Sequence, residues 1–133
     1  MTQLNPLTTH PIDYQMNAAV IHISNLRLRT FIGFNPEELS KQQDIIINAE
    51  IHYSADEACD SDDENRALNY KLVCKSLIEH VENGRFRLLE KLVADLLAII
   101  MAAKQVEYAS IRVDKPHALR FADSVSLSLS ANR

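Results

Sequence analysis

Hydrophobic and polar residues alternate along four stretches of the chain, and this pattern predicts four strands. The alternation covers residues of about 20–33, 45–53, 109–113 and 125–129. In the first stretch Leu26 and Leu28 fall on one face, whereas Arg27 and Arg29 fall on the other. A period of two is typical of strands with one buried and one exposed face. The stretches therefore favour a sheet that is covered on one side.

Between the second and third alternations the apolar spacing changes to that of helices. Asn69 is expected to cap a first helix whose apolar residues lie within 72–81 and which ends at Gly84. The segment "FRLLEKLVADLLAIIMAAK" predicts a second amphipathic helix. The segments "GFNPEELSKQQ" and "DEACDSDDEN" are interpreted as loops. The order ββααββ predicts an α+β fold, an antiparallel sheet with two helices on one face.

Length and composition are those of one globular unit. The chain has 133 residues, 47% of them hydrophobic and 24% charged. Residues 1–17 contain Pro6 and Pro11 but no periodicity, so they are predicted to be a flexible N-terminal arm, followed by a single domain over 18–133. No stretch is apolar enough to cross a membrane, and the N-terminus lacks the pattern of a signal peptide. These features predict a cytoplasmic protein.

Charge and residue counts limit the kinds of ligand and partner that this chain is expected to bind. A net charge of -4 argues against nucleic acid as the main partner. Cys59 and Cys74 are not spaced as ligands of a metal site and are predicted to be reduced thiols. His22 and His52 are isolated on different strands and are interpreted as structural residues. No metal or other cofactor is predicted. The two glycines form no phosphate loop, so a bound phosphate would require side chains or helix ends.

A few polar residues lie where a site could form. Glu90 falls at the edge of the apolar stripe of the second helix, where a carboxylate could accept paired hydrogen bonds or could simply reach water. Tyr70 and Lys115 lie at element ends and could act as a proton-transfer pair, or be a half-buried aromatic residue and a solvated amine. Glu38 follows Pro36, and its pattern favours a first-turn helix charge over a site residue. Arg27 and Arg29 could solubilise an edge strand or bind a polyphosphate.

Four segments resemble the dihydroneopterin aldolase family: "LRLRTFIG", "LNY" ending at Tyr70, "ENGRFRLLEKL" and "DKPHALRFADSVS". The resemblance extends from about Ala19 to Arg133. It implies a T-fold, a ββααββ subunit that assembles into tetrameric rings, two of which stack into an octamer. It also implies a pterin pocket between neighbouring subunits.

The resemblance implies roles for individual residues. Glu90 would hold the amino and ring NH groups of the pterin, helped by the backbone of Leu89. Tyr70 would come from the neighbouring subunit, and Lys115 would move protons through a water molecule. Glu38 and Gln43 correspond to further pocket residues. The resemblance thus implies Lys115, Tyr70 and Glu38 as catalytic residues, with Glu90, Leu89 and Gln43 in substrate binding.

The implied reaction is a metal-free retro-aldol step on a dihydroneopterin side chain. The resemblance is greatest to the branch that epimerises 7,8-dihydroneopterin triphosphate at carbon 2', because "PHALR" follows Lys115 where aldolases tend to have small residues with a glycine. His117, Arg120, Arg27 and Arg29 are accordingly predicted to contact phosphate. The alternatives are an aldolase that forms 6-hydroxymethyl-7,8-dihydropterin and glycolaldehyde, and a ring protein that binds pterin without catalysis. Zinc-dependent relatives would require clustered ligands that this sequence does not space correctly.

Overall fold

The structure is a computed structural model that describes residues 13–133. Residues 1–12 of the predicted N-terminal arm lie outside the described residues. Residues 13–18 are exposed and form no helix or strand before the sheet begins. The buried hydrophobic residues of the described chain form one core.

Five strands and four helices follow one another along the chain. The strands are β1 (Ala19–Ile32), β2 (Gln43–Tyr53), β3 (Arg85–Phe86), β4 (Val106–Lys115) and β5 (Val125–Asn132). The helices are α1 (Pro36–Ser40), α2 (Asp56–Ser61), α3 (Tyr70–Glu82) and α4 (Leu89–Met101), with a 3₁₀ turn at Glu64–Arg66. The four predicted strands and the two predicted long helices are confirmed, as is the cap of α3, where the Asn69 side chain accepts a hydrogen bond from the Leu72 amide.

Two details of the prediction are wrong. The sheet is mixed rather than antiparallel, because β3 pairs in parallel with the end of β1, in the strand order β3-β1-β2-β4-β5. The two predicted loops also contain the short helices α1 and α2. The strand β3 and the helices α1 and α2 have only two to six residues. Such short elements contain too few residues to show a periodic spacing of apolar side chains.

The helix-facing side of the sheet forms the core with α3 and α4. Alternate residues of β2 and β4 are buried there, including Ile45, Ile47, Ile51, Ala109, Ile111 and Val113. From α3 and α4 the fully buried residues include Leu77, Val81, Leu92 and Leu96. The opposite face of the sheet is polar. No helix in the described part of the chain is long and apolar enough to cross a membrane.

A β-bulge in β1 decides which face its two arginines occupy. The register against β2 shifts between Ile23 and Leu26, and Asn25 adopts a left-handed conformation with φ of 55°. The Asn48 side chain accepts a hydrogen bond from the Asn25 amide at 2.9 Å. Because a strand has a period of two, the bulge restores Leu26 to the core side. It therefore directs Arg27 and Arg29 to the polar face.

Replacing Thr30 by Val should destabilise the connection between β1 and α3. Thr30 is fully buried, and its hydroxyl donates to the Val81 carbonyl at 2.6 Å. Valine keeps the shape but removes this donor. Because the Val81 carbonyl still accepts from the Gly84 amide at 3.3 Å, the loss is about 0.5–1.5 kcal/mol of unfolding free energy. Denaturant titration measures the loss. Thr30→Ser and Thr30→Ala both lack the buried methyl group and differ only in the hydroxyl, so equal stability of these two variants would contradict the role of the hydrogen bond.

Candidate active site

A cleft of about 400 Å³ lies where the ends of β1 and β4 approach the start of α4. Four of the predicted site residues line it: Glu38, Leu89, Glu90 and Lys115. Phe34 and Leu88 add exposed apolar side chains to its walls. The fold therefore assembles in one place residues that are up to 77 positions apart in sequence.

An ion pair between Lys115 and Glu38 lies in this cleft. Lys115 is the last residue of β4, on the helix-facing side, and its Nζ is 2.9 Å from Glu38 Oε2. The two side chains are only 13% and 21% exposed. The hydrogen bond from Lys115 lowers the pKa of Glu38, while burial opposes that change. Glu38 is therefore a partly desolvated carboxylate at neutral pH.

Two further donors orient the Glu38 carboxylate. Gln43 Nε2 donates to Oε2 at 3.1 Å and also to the Ile32 carbonyl, and the Asn35 amide donates to Oε1 at 3.3 Å. These contacts account for further lowering of the Glu38 pKa. Gln43 thus contacts another site residue rather than lining the cleft, and Asn35 is a site contact that the sequence analysis missed.

Gly33 provides the space that this carboxylate occupies. Its φ is +122°, and a Cβ there would lie 2.2 Å from Glu38 Cδ. Any side chain would therefore both strain the backbone and displace Glu38. Gly33 ends the first predicted strand, at residues 20–33, and it is one of only two glycines in the sequence. That rarity was the available signal of its role, which was not predicted.

Glu90 and the first turn of α4 form the other end of the cleft. Glu90 is the second residue of α4, and its carboxylate forms no hydrogen bond or ion pair with any residue that the structure describes. The cap residue Leu88 supplies no side-chain acceptor to the helix. Because amides of a first helical turn have no partner inside the helix, the amide of Leu89 can donate beside an unpaired carboxylate. This arrangement suits a ligand edge that carries adjacent donors and acceptors.

Tyr70 lies far from this cleft. It is the first residue of α3 and is 54% exposed. The Ala67 carbonyl, just before it, accepts a hydrogen bond from Gln105, which precedes β4, whereas Lys115 ends that strand. Ten residues of strand span roughly 30 Å. Within one chain, Tyr70 and Lys115 do not meet.

The four basic residues predicted to contact phosphate also lie outside the cleft. Arg27, Arg29 and His117 line a separate groove on the polar face of the sheet. Arg120 is exposed, with its guanidinium 5.4 Å from the ring centre of Phe121, and is not among the residues that line either the cleft or this groove.

A larger hollow, of about 850 Å³, lies between α3 and α4 but contains none of the predicted residues. There His80 and Lys91 each contact Asp95 at 2.8 Å. These charged groups satisfy one another, so the smaller cleft is the better candidate for chemistry. Among residues 13–133, no three His, Cys, Asp or Glu side chains are grouped to hold a metal ion. Cys59 and Cys74 are free thiols.

Comparison with known proteins gives consistent matches. The dihydroneopterin aldolase family matches residues 21–130, a range that includes every residue of the cleft. The chain is 58% identical over 116 residues to dihydroneopterin triphosphate 2'-epimerase of Escherichia coli (strain K12), covering 87% of this chain and 97% of that protein. It is 48% identical over 115 residues to the protein of the same name from Pseudomonas aeruginosa (strain PAO1), covering 86% and 94%.

A solved structure has the same fold. The crystal structure of E. coli dihydroneopterin aldolase in complex with neopterin matches with a TM-score of 0.81 and 24% sequence identity, over 86% of this chain and 99% of that chain. This likeness confirms the predicted α+β T-fold.

Replacing Lys115 by Met should raise the pKa of Glu38. The hydrogen bond from Lys115 is the largest cause of the lowered value, and without it burial favours the protonated acid. Carbon-13 NMR titration of labelled glutamate carboxyls, assigned with Glu38→Gln, measures the change. Because the folded pKa is lowered, the ionised pair stabilises the wild type at neutral pH, and this contribution disappears as the pH falls through the folded pKa.

Lys91→Met is the matched control for this titration. It also removes a lysine that pairs with a carboxylate, but its partner is Asp95. The Glu38 signal of this variant should titrate as in the wild type. An unchanged Glu38 titration in Lys115→Met would show that the ion pair does not form in solution.

Proposed function

Because the chain belongs to the dihydroneopterin aldolase family, we propose that it epimerises 7,8-dihydroneopterin triphosphate at carbon 2' of the side chain, forming dihydromonapterin triphosphate. Identities of 58% and 48% to two epimerases, against 24% to the E. coli aldolase, favour epimerisation. The observation that carries the proposal is the half-buried Lys115–Glu38 pair in a cleft that also presents Glu90. The reaction places the enzyme in pterin metabolism, and the predicted cytoplasmic location stays a prediction.

The first turn of α4 supplies the pterin contacts. The pyrimidine edge of a pterin carries an amino group and a ring NH, which can donate side by side to the Glu90 carboxylate. The Leu89 amide donates to an acceptor on the same edge. Leu88 and Phe34 offer apolar surface to the flat ring. The E. coli aldolase whose structure matches this one was solved with neopterin, and this supports a pterin as the ligand.

The Lys115–Glu38 pair faces the side chain of the substrate. A water molecule carries the proton of the 2'-hydroxyl to Lys115, which reacts as the neutral amine, and the Glu38 carboxylate stabilises the ammonium ion that forms. The bond between C1' and C2' breaks, C2' becomes an aldehyde carbon, and the bonding electrons enter the dihydropterin ring. If the aldehyde rotates and is attacked on its other face, the same bond re-forms with C2' inverted and the proton returns to the oxygen. No metal or other cofactor is required.

Tyr70 enters the site from a second copy of the chain. Within one chain, Tyr70 and Lys115 are separated by about the length of β4. Both can therefore act on one substrate only where two copies of the chain meet. Tyr70 and Leu72 are more than half exposed. Among the described strands, β5 has a neighbour only on one side, as does most of β1. Open edges of this kind pair readily with another chain, which supports the tetrameric ring and its stacking into an octamer.

Product analysis tests the proposed function directly. Purified enzyme treated with a chelator is incubated with 7,8-dihydroneopterin triphosphate and, separately, with 7,8-dihydroneopterin, and the pterins are separated by chromatography. The proposal expects dihydromonapterin triphosphate as the main product of the triphosphate, with a large loss of turnover in Lys115→Met. Hydroxymethyl-dihydropterin as the main product from both substrates would instead establish an aldolase. Binding of either pterin without turnover would establish a non-catalytic pterin-binding protein.

Mixing two inactive variants tests the shared site. Tyr70→Ala and Lys115→Met should each lose most activity alone. If each site takes Tyr70 from a neighbour, random co-assembly of equal amounts leaves about a quarter of the sites intact, so activity returns to about that fraction. The measurement is epimerase activity after joint refolding or co-expression. Absence of recovery in oligomers shown by mass spectrometry to contain both variants would rule out a shared site.

A further inference from the structure

A basic groove lies on the face of the sheet opposite the helices. It has a volume of about 440 Å³, and its lining includes Arg27, Arg29, Asp44, Ile46, Pro116 and His117. The bulge at Asn25 is what turns the two arginines toward it. The groove is therefore built by β1, the start of β2 and the segment that follows β4.

This groove is separated from the cleft by a single segment of chain. Lys115 and Ala118 line the cleft, while Pro116 and His117 between them line the groove. The start of β2 repeats the arrangement, since the Gln43 side chain contacts Glu38 and Asp44 lines the groove. Along the chain, the first groove residue, Pro116, directly follows Lys115 of the ion pair.

The basic side chains of the groove have few or exposed charge partners. Arg27 forms no ion pair within residues 13–133; its guanidinium donates only to the Asn25 carbonyl, at 3.4 Å. Arg29 Nε lies 3.2 Å from Asp44 Oδ1, and His117 Nε2 lies 3.8 Å from Asp44 Oδ2. These side chains are 54–79% exposed. Exposed pairs of this kind contribute little to stability, so a polyanion can replace Asp44 as the partner of Arg29.

We propose that this groove holds the triphosphate of the substrate and, after the C1'–C2' bond breaks, retains the aldehyde that carries it. The inference rests on the proposed function. Cleavage leaves the pterin ring at Glu90 and frees a two-carbon aldehyde whose charged part is the triphosphate. Arginine side chains that grip the phosphates keep the carbonyl carbon near the ring, where it is attacked again. An unphosphorylated aldehyde lacks this grip and leaves, so the groove decides between epimerisation and cleavage.

The ratio of products from one substrate tests this inference. Dihydroneopterin triphosphate is incubated with the wild type and with Arg27→Gln/Arg29→Gln, and dihydromonapterin triphosphate is measured against 6-hydroxymethyl-7,8-dihydropterin. The double variant should lower this ratio at least about ten-fold, because loss of bidentate phosphate contacts lets the aldehyde escape. Both products follow the same bond cleavage. A general loss of folding or catalysis therefore lowers both and leaves their ratio in place.

Arg112→Gln is the matched control. Arg112 lies on the same sheet face and also pairs with an aspartate, Asp114, at 3.0 Å, but it is not part of the groove lining. Its ratio should equal that of the wild type. A wild-type ratio in the double variant, or an equal fall in Arg112→Gln, would overturn the inference and leave the epimerase function standing.

Calorimetry with inorganic triphosphate separates failure of the inference from failure of the proposed function. Binding to the wild type and its at least ten-fold weakening in the double variant would support a polyphosphate groove. Equal binding to both proteins would refute the groove. A wild type that forms no epimer would refute the proposed function, and the retention step with it, whatever the calorimetry shows.

Discussion

The ion pair between Lys115 and Glu38 is the contact on which the candidate site depends. It joins the end of β4 to α1, and both side chains are largely shielded from water. A pair in such a position is stable only when its remaining polar atoms are satisfied. The Gln43 and Asn35 donors meet this requirement for the carboxylate, and Gly33 leaves room for it. The ends of β1, β2 and β4 must therefore be correctly aligned before the pair can form.

The site divides its work between the two sides of that pair. On one side, the unpaired carboxylate of Glu90 and the free amides of the first turn of α4 suit the edge of a pterin. On the other, the arginines of the groove suit a triphosphate. In the proposed reaction the bond breaks between the two, beside side chains that are only 13% and 21% exposed. The first chemical step is common to epimerisation and cleavage. The outcome would then depend on how long the groove retains the aldehyde that carries the triphosphate.

A single chain supplies only part of this arrangement. Tyr70 lies at the far end of β4 from Lys115, and two sheet edges lack neighbours among the described strands. In a cyclic association of identical subunits, one repeated contact would cover the open sheet edges and bring Tyr70 close to Lys115 of a neighbour. Each copy can offer its Tyr70 end to the Lys115 end of the next. The proposed ring would thus bring Tyr70 to the Lys115 cleft and also pair the exposed edges.

Sequence periodicity by itself determined the four long strands, α3, α4 and their order, because burial of one face imposes a period on the residues that form it. It also indicated Glu90 at the edge of an apolar helix stripe, and Tyr70 and Lys115 at element ends, while the resemblance assigned their roles. The parallel strand β3 and the short helices were out of reach, since a few residues show no period. Tertiary structure alone decided that Glu38 meets Lys115, that Gly33 accommodates the carboxylate, and that a bulge at Asn25 shifts the register of β1 against β2. Each of these depends on backbone geometry that joins segments distant in sequence, which local spacing does not encode.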